Sequence, residues 1–423
     1  MRTDIKIDFI ANPLPGHVFP QLQLARYAQS QGMKNLRFYS CPKMRSAIES
    51  AGIQFRPILA DRENEILDIA GRHEQIMDSY AALLTVVDKA LTVQEQFETE
   101  LRSYWQTDPP DLVVIDFMSP FAGIIADQLG IPWWTAITSP TAIESPKGTP
   151  TFLGGLAPPR TIFGKCRDAL GRWFIRMLKR FTFFLFRKRM HNLGFTSVYR
   201  DDGTERMYSN FVILGLGISE LEFEDRNLPE AWHWIGPCLE RPVLDHTPPH
   251  YEPGKKHILV APGTQVRWAK ERAENICREI SKHMPECIFH FVLNVLDDHH
   301  LNEPQKEGNL HIYGYIPFTP ESFQNYDLIV NMGGIGVMYT AIAAGVPQLA
   351  VPQGFEQLDC AARVFVSGLG LRSGGMPEDI AADIRKILGS DWYRKQANEY
   401  REIIGHYHPG QSFVDLVQKH FAE

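Results

Sequence analysis

A cluster of glycines stands between a strand-like run and a helix-like run in the second half of the chain. Gly333, Gly334 and Gly336 follow the apolar run LIVN and precede the small-residue run VMYTAIAA. The first backbone N–H groups of a helix lack intrahelical partners and carry a partial positive charge, so such a loop suits a phosphate group. A second loop, with Gly263 and Thr264, follows the apolar run HILVAP. Each loop alone is also what a tight strand-to-helix turn needs, but the two together predict a ligand that carries a diphosphate.

The chain lacks the two best-known phosphate-binding motifs. No segment matches GxxxxGK[ST], which excludes a Walker-type nucleotide site. The dinucleotide fingerprint GxGxxG is also absent after the first strand-like run, where the sequence is NPLPGHVFP. The predicted diphosphate therefore belongs to another class of ligand.

Short strand-like runs alternate with helical patterns along the chain. The runs are rich in β-branched or aromatic residues and read, in order, IKIDFIA, LRFYSCP, DLVVIDFM, WWTAITS, HILVAPG, CIFHFVL, LHIYGYIP, YDLIVNM and PQLAVPQ. Alternation of this kind predicts βαβ units and parallel sheets. We therefore expect an α/β protein with two tandem Rossmann-like, doubly wound domains that face a central cleft. In such sheets ligands bind at the carboxyl ends of the strands.

A proline-rich segment without periodicity, ERPVLDHTPPHYEPGKK, divides the two sets of strands. It holds four prolines and predicts an interdomain linker over residues 240–256. The expected domains are then residues 1–239 and residues 257–400. The last residues, 401–423, are expected to form helices that pack back toward the first domain.

The composition is typical of a globular protein in a reducing compartment. Hydrophobic residues make up 44% of the chain, and the net charge of −7 argues against a nucleic-acid partner. The six cysteines are scattered, without a CxxC pair or metal-ligand spacing. The N-terminal run carries internal charges and no A-x-A cleavage site, and no uncharged apolar stretch is long enough to span a membrane. We expect a cytoplasmic protein.

Four segments resemble the glycosyltransferases of the GT-B fold, in the family that includes the UDP-glucuronosyltransferases and the antibiotic (macrolide-type) glycosyltransferases. They are GHVFPQLQLARYAQSQG, DLVVIDFMSPFAGIIADQLGIP, WIGP and GGIGVMYTAIAAGVPQLAVPQGFEQLDCAARV. The last is similar to the family's donor-binding signature. The resemblance implies an inverting transfer of a hexose from a nucleotide-diphosphate sugar to a small acceptor, with no cofactor and no obligatory metal. It also implies that the first domain binds the acceptor and the second binds the nucleotide sugar.

The resemblance implies a catalytic pair in the first domain. His17, within PLPGHVFP, matches the family's general base, which removes a proton from the acceptor hydroxyl. Asp116, at the end of DLVVID, matches the aspartate that orients this histidine and stabilises its charged form. Taken alone, His17 would be a helix-start residue and Asp116 a helix N-cap, but the matching motifs favour the pair.

The resemblance also assigns the donor site. Tyr315 lies where the family often stacks an aromatic ring on the base, and an ordinary buried aromatic is the alternative. Glu356 and Gln357, in GFEQLD, match the acidic residue and the glutamine that contact sugar hydroxyls, and a solvated helix start is the alternative for them. The two glycine loops would hold the diphosphate.

Three positions of the donor-binding signature depart from the usual pattern. Met332 replaces a histidine that contacts the diphosphate, and Val337 replaces the following Ser or Thr, so two polar contacts are removed. Thr340 stands where hexose-using members often carry Glu for the ribose hydroxyls. Thr at this place is similar to the bacterial transferases that use dTDP-deoxysugars. UDP-sugars and dTDP-sugars both remain open as donors.

Residues 165–191 form a basic and aromatic segment. Nine Lys and Arg lie between Lys165 and Arg189, against the single acid Asp168, and phenylalanines are interleaved with them. Two interpretations are open. The segment is either a helix that lines the acceptor pocket, with aromatics inward and charges solvated, or a basic amphipathic helix in weak contact with a membrane surface. Both indicate a small apolar acceptor, such as a natural product.

The leading hypothesis is a glycosyltransferase of natural-product biosynthesis that acts as a monomer or dimer. The alternative is a catalytically weakened relative that binds a nucleotide sugar or an aglycone as a partner protein. Met332 and Val337 favour that alternative, whereas His17 and Asp116 disfavour it. A sugar-nucleotide epimerase can share this fold, but the GHVFP and GFEQ motifs argue for transfer.

Overall fold

The chain forms two α/β units, each built around its own sheet. The computed structural model describes residues 2–71, 79–241, 243, 246–263, 267–293, 304–354 and 356–422. The first unit comprises Met1–Leu153, Pro158–Cys238 and Tyr407–Glu423. The second comprises Gly154–Ala157 and Leu239–His406.

The described part of the first unit holds a seven-stranded sheet in the order β3-β2-β1-β4-β5-β6-β7. Every pairing in it is parallel. The strands are β1 (Ile7–Ile10), β2 (Leu36–Ser40), β3 (Gln54–Pro57), β4 (Leu112–Asp116), β5 (Trp133–Ile137), β6 (Ile213–Gly215) and β7 (Trp232–Trp234). The helices along this part of the chain are α1 (Pro15–Ser30), α2 (Arg45–Ser50), α3 (Glu63–Gly71), α4 (Tyr80–Thr107), α5 (Phe121–Leu129), α6 (Ile162–Leu185) and α7 (Arg187–Asn192).

The described part of the second unit repeats this plan, with the strand order β10-β11-β9-β8-β12-β13-β14. All pairings are parallel except that of the edge strand β10 with β11. The strands are β8 (Lys256–Ala261), β9 (Cys287–Val292), β10 (Gln305–Glu307), β11 (Leu310–Tyr313), β12 (Leu328–Asn331), β13 (Gln348–Ala350) and β14 (Gly370–Arg372). The helices are α8 (Arg267–Lys282), α9 (Pro320–Phe323), α10 (Ile335–Ala343), α11 (Glu356–Val366), α12 (Pro377–Leu388) and α13 (Asp391–Gly405).

The last helix, α14 (Pro409–His420), belongs to the first unit and packs against α1. Its side chains Phe413, Val414 and Val417 are buried in the same core as β1, β2 and β5. The Phe413 ring lies 5.8 Å from that of Phe9 and 6.1 Å from that of Trp134. The first core is therefore completed by a segment that follows the whole second unit in sequence.

The predicted fold class is confirmed. Each of the nine strand-like runs contains a strand, and the central strands are buried along their whole length except at Lys256, the first residue of β8, as expected for sheets covered on both faces. The strands β3, β6, β7, β10 and β14 were not predicted. The segment predicted as a linker, 240–256, is grouped with the second unit, where the Tyr251 ring packs 5.5 Å from that of Tyr326.

Three histidines occupy neighbouring strands of the second sheet. His257, His290 and His311 lie on β8, β9 and β11, and all three are buried. Nε2 of His257 is 3.0 Å from the carbonyl oxygen of Glu252, which can only accept, so this nitrogen carries the proton. Nδ1 of His257 lies 2.9 Å from Nε2 of His290, so a hydrogen bond joins the two rings.

Burial of the imidazole, with a further contribution from the neighbouring histidines, lowers the pKa of His290 from 6.5 to about 3. Burial also lowers the pKa of His311. A histidine with a lowered pKa binds fewer protons when folded than when unfolded. Its contribution to stability is therefore present above the unfolded pKa and is lost as the pH falls below it.

We expect the free energy of unfolding to decrease below pH 6.5, by about 1.4 kcal/mol per pH unit for His290 alone. Urea unfolding between neutral pH and pH 5 measures this slope. His290→Phe should flatten it, whereas His283→Gln, at an exposed position, should not. An unchanged slope in His290→Phe would show that another group causes the loss of stability at low pH.

Candidate active site

Two neighbouring strands of the first unit bring His17 and Asp116 together. β1 pairs in parallel with β4, and Ile10 lies opposite Ile115, so both strands end at the same level. Asp116 is the last residue of β4, and His17 is the third residue of α1, which follows β1. Nδ1 of His17 lies 2.9 Å from Oδ1 and 3.0 Å from Oδ2 of Asp116.

The surroundings of this pair define its chemistry. The Asp116 side chain is 1% exposed and also accepts from the backbone N–H of Met118 at 3.0 Å. A carboxylate only accepts hydrogen bonds, so Nδ1 of His17 carries the proton and Nε2 keeps a lone pair. The His17 side chain is 16% exposed, and its ring lies 5.4 Å from that of Phe117. With a neutral imidazole, this arrangement suits an oriented general base.

Hydrogen bonds join the loop that follows β1 to the loop that follows β4. Nδ2 of Asn12 donates to the carbonyl oxygen of Met118 at 3.3 Å, and Oγ of Ser119 donates to Oδ1 of Asn12 at 3.1 Å. The loop before His17 is thereby tied to the loop after Asp116. Sequence reasoning did not single out Asn12 or Ser119. The signal was available, because each is a polar residue that closely follows an apolar strand.

In the second unit, the glycine loop joins β12 to the N-terminus of α10. Gly333 has a φ of 78°, and a Cβ at this position would lie 2.5 Å from the carbonyl oxygen of Gln357. Both constraints require glycine. Gly334 is the N-cap of α10, and the N–H of Met338 makes the first helical bond to its carbonyl oxygen at 3.0 Å. The N–H groups of residues 335–337 precede that bond and point out of the helix end.

A buried amide network fixes this loop. Oδ1 of Asn331 accepts from the N–H of Gly333 at 2.7 Å, and Nδ2 of Asn331 donates to Oε1 of Gln348 at 3.0 Å. Nε2 of Gln348 donates to the carbonyl oxygen of Met338 at 3.2 Å. Asn331 is 2% exposed and Gln348 is 0% exposed. The network joins β12, β13 and α10, and sequence reasoning missed both amides.

An arginine outside the predicted site approaches the same helix end. A Cβ on Gly336 would lie 3.4 Å from Nη2 of Arg241, which belongs to the segment before β8. Nη1 of Arg241 donates to the carbonyl oxygen of Glu240 at 2.9 Å. The guanidinium and the N-terminus of the helix both carry positive charge, so both would stabilise an anion bound there.

Met332 belongs to the wall of an apolar cavity. The cavity lies between the sheet and helices α8 and α12, and its wall includes Ile276, Ile280, Val330, Met332 and Ile380. A thioether is a weak acceptor and not a donor, so its contribution in this wall is apolar packing.

The remaining residues predicted to bind the nucleotide sugar differ in how exposed they are. Val337 is buried in a core cluster of the second unit. Thr340 is 3% exposed, and its hydroxyl donates to the carbonyl oxygen of Gly336 at 2.8 Å. Oε1 of Gln357 accepts from the N–H of Gln353 at 3.0 Å, which leaves its amide nitrogen as the donor group. Glu356 is half-buried at the start of α11.

Two further predictions concern Tyr315, expected to stack on the nucleotide base, and the second glycine loop. The Tyr315 ring is half-buried and meets the His246 ring edge-on at 5.9 Å. Gly263 has a φ of 84°, in the region that favours glycine. Thr264 lies outside the described residues, so its predicted role stays a prediction.

The helix expected within residues 165–191 is present as α6 and α7, but its aromatics are only partly turned inward. Trp173 and Phe174 are 61% and 51% exposed, whereas the Phe181 ring stacks 6.2 Å from that of Tyr80. Arg176 and Lys179, expected to be solvated, instead face the unit and pair with Glu144. The inward contacts of this helix are therefore both ionic and aromatic, and its role in lining the acceptor pocket stays a prediction.

Across the part of the chain that the structure describes, no group of His, Cys, Asp or Glu has a metal-binding arrangement. Within the same part, no helix is both long and apolar enough to cross a membrane.

Comparisons with known proteins agree with the fold. Residues 287–410 match the family model for the C-terminal domain of erythromycin biosynthesis protein CIII-like proteins. The chain is 24% identical to 4'-demethylrebeccamycin synthase of Lentzea aerocolonigenes, over 96% of this chain and 97% of that one. The structure of the calicheamicin glycosyltransferase CalG4 aligns with a TM-score of 0.71 at 17% identity, over 99% of both chains. That of the spinosyn rhamnosyltransferase SpnG complexed with thymidine diphosphate aligns with a TM-score of 0.66 at 15% identity, over 98% of this chain and 100% of that one.

The amide network gives a testable prediction. Gln348→Leu keeps the side-chain size but leaves Nδ2 of Asn331 buried without its acceptor, which should lower the free energy of unfolding by about 1–3 kcal/mol. Urea unfolding measures this loss. Calorimetry should also show weaker binding of UDP or dTDP, because the loop is less well held. Gln324→Leu, at an exposed position, is the control, and equal behaviour of both variants would show that the network does not hold the loop.

Proposed function

We propose a specific reaction for this chain, which is a GT-B glycosyltransferase of the family that includes the UDP-glucuronosyltransferases and the antibiotic (macrolide-type) glycosyltransferases. The proposed reaction is the transfer of a hexose from a nucleotide-diphosphate sugar to a small apolar natural product, with inversion at the anomeric carbon. The hydrogen-bonded pair of His17 and Asp116 is the observation that carries this proposal.

The pair supplies the base that an inverting transfer needs. An acceptor hydroxyl is a weak nucleophile until its proton is removed. In the proposed step, Nε2 of His17 takes that proton while the acceptor oxygen attacks the anomeric carbon. The new C–O bond forms as the bond from that carbon to the diphosphate breaks, and the nucleotide diphosphate leaves with the electron pair. Asp116 holds the imidazole in the required tautomer and stabilises the imidazolium that forms.

The leaving diphosphate gains negative charge, and the second unit offers three kinds of stabilisation for it. The backbone N–H groups at the start of α10 and the dipole of that helix are two of them. The third is the Arg241 guanidinium beside Gly336. In this proposal Arg241 supplies the polar contact that Met332 does not. In this proposal the protein itself stabilises the developing charge, without an obligatory metal.

Two observations favour a thymidine diphosphate donor over a uridine one. The Thr340 hydroxyl is bonded to the carbonyl oxygen of Gly336, and Thr340 is buried, so it offers no contact for a ribose 2′-hydroxyl. A structurally similar glycosyltransferase, SpnG, has been solved with thymidine diphosphate.

Glu356 and the amide nitrogen of Gln357 are proposed to bond sugar hydroxyls, and Tyr315 is proposed to stack on the base. The alternative of a weakened binding protein is not favoured, because the base and its partner are joined as catalysis requires.

Removal of the base tests the proposed step. His17→Ala should reduce transfer to an alcohol acceptor by about 10²–10⁴-fold, because a positioned general base contributes that much. Asp116→Asn should also lower the rate, because it removes the charge that stabilises the imidazolium. Release of dTDP or UDP from a panel of nucleotide sugars measures the rate, and thermal-shift binding of the nucleotide should be unchanged. His408→Ala, at an exposed position, is the control; full activity of His17→Ala would refute the role of His17.

Arg241 is tested through nucleotide affinity. Arg241→Gln should weaken dTDP binding by about 10–100-fold, the equivalent of one charge-assisted contact. It should weaken binding of thymidine, which lacks phosphates, much less. Titration calorimetry with both ligands gives the two affinities. Arg385→Gln, an exposed arginine of the same unit, is the control. Equal losses for dTDP and thymidine would mean that Arg241 acts on the fold rather than on the diphosphate.

A further inference from the structure

The helix α6 presents its apolar face to solvent. Apart from Asp168 and Ile175, its residues are not buried. Six large apolar side chains are between 44% and 67% exposed: Leu170, Trp173, Phe174, Met177, Phe181 and Phe184. Leu170, Phe174, Met177, Phe181 and Phe184 follow at alternating intervals of four and three residues, so they form one stripe along the helix.

The opposite face of α6 is held by ion pairs. Nζ of Lys179 lies 2.6 Å from Oε1 of Glu205 and 2.7 Å from Oε1 of Glu144. Nε of Arg176 lies 3.1 Å from Oε2 of Glu144, and its Nη2 donates to the carbonyl oxygen of Gly203 at 2.7 Å. Burial alone lowers the pKa of a lysine, yet the pKa of Lys179 is raised because the two glutamates outweigh that effect.

This orientation is the reverse of that of an ordinary surface helix. An amphipathic helix on a globular protein turns its apolar stripe toward the core and its charges toward water. Here rotation of α6 would break the bonds of Arg176 and Lys179, so the ion pairs fix the apolar stripe on the outside. A contiguous exposed apolar surface of this kind marks an interaction site.

The charges around the stripe indicate what covers it. Lys165, Arg180, Arg187 and Lys188 are exposed on or next to α6. Between residues 160 and 192 the one acid is Asp168, which is 1% exposed. The exposed charges of this segment are therefore cationic, although Arg189 is paired with Asp88 and Glu95 of α4 and the whole chain carries a net charge of −7.

We propose that α6 docks the protein on an anionic lipid surface, with its axis in the plane of the membrane. The apolar stripe would enter the boundary between headgroups and acyl chains, and the flanking cations would meet anionic headgroups. Trp173 is suited to this depth, because its ring is apolar and its N–H is polar. With 24 residues, α6 offers about 36 Å of contact length.

A lipid surface fits the stripe better than a second copy of this chain. Two copies joined through α6 would bring cationic rims together, and like charges oppose such an interface. An anionic bilayer matches both the apolar stripe and the charge of its rim. The proposal is independent of the proposed transferase reaction, because it concerns a helix that holds neither His17 nor Asp116.

Vesicle flotation tests the proposal. The full chain should float with vesicles of phosphatidylcholine and phosphatidylglycerol, and much less with phosphatidylcholine alone. Raised salt should reduce the bound fraction, because it screens the cations. The triple variant Trp173→Ser, Phe174→Ser, Phe181→Ser should lower the partition coefficient by at least about tenfold, because it removes apolar area that would be buried in lipid.

The chain offers a matched control. Trp392, Phe211 and Phe365 are 54%, 62% and 54% exposed, close to the values for the three test residues, and belong to other segments of the chain. The triple variant Trp392→Ser, Phe211→Ser, Phe365→Ser should bind vesicles like the parent. Circular dichroism and release of dTDP or UDP from a nucleotide sugar check that both variants fold. Equal binding of parent and test variant, equal binding to both kinds of vesicle, or no binding by the parent would overturn the proposal. A dimer by light scattering that the test variant abolishes would assign the stripe to a second copy instead.

Discussion

Two arrangements, the His17–Asp116 pair and the glycine loop before α10, depend on one constraint. This constraint is the reversal of strand order beside the first strand of each sheet. In the first unit β1 lies between β2 and β4, and in the second β8 lies between β9 and β12. At such a point the connections on the two sides leave in opposite directions, which opens space at the carboxyl ends of the strands. The first unit places a histidine and its aspartate there. The second places a glycine loop and a helix N-terminus, so two different chemistries use the same feature of the backbone.

The N-terminal end of α10, the proposed diphosphate site, is built largely from backbone. Its side chains contribute indirectly, because Asn331 and Gln348 hold the loop while remaining buried. If this end of α10 holds the proposed diphosphate, its peptide N–H groups and helix dipole act on the ligand whether residue 332 is histidine or methionine. Arg241 approaches from a distant part of the sequence. The proposed phosphate contacts are thus spread over several elements.

The sequence predicted the central strands well, because parallel strands covered on both faces are continuous apolar runs. It did not predict β6, β7, β10 or β14, since strands of three residues have no periodicity of their own and depend on a neighbouring strand. The pairing of His17 with Asp116 was foreseen through the family motifs. Asn331, Gln348 and Arg241 were not, because their importance comes from contacts across the fold. The orientation of α6 was also missed: its sequence is amphipathic, but the acids that hold its basic face, Glu144 and Glu205, lie outside the helix.

The position of α14 has a consequence for how the chain acquires its structure during synthesis. The core of the first unit contains Phe413, Val414 and Val417, so that core stays open until residues 409–420 have left the ribosome. The second unit, apart from Gly154–Ala157, is continuous from Leu239 to His406 and is synthesised before them. This arrangement differs from that of a chain whose N-terminal domain is complete before the next one is made. Until α14 is made, the unit that carries His17 lacks these three side chains of its core, and the apolar residues they cover are left open to solvent.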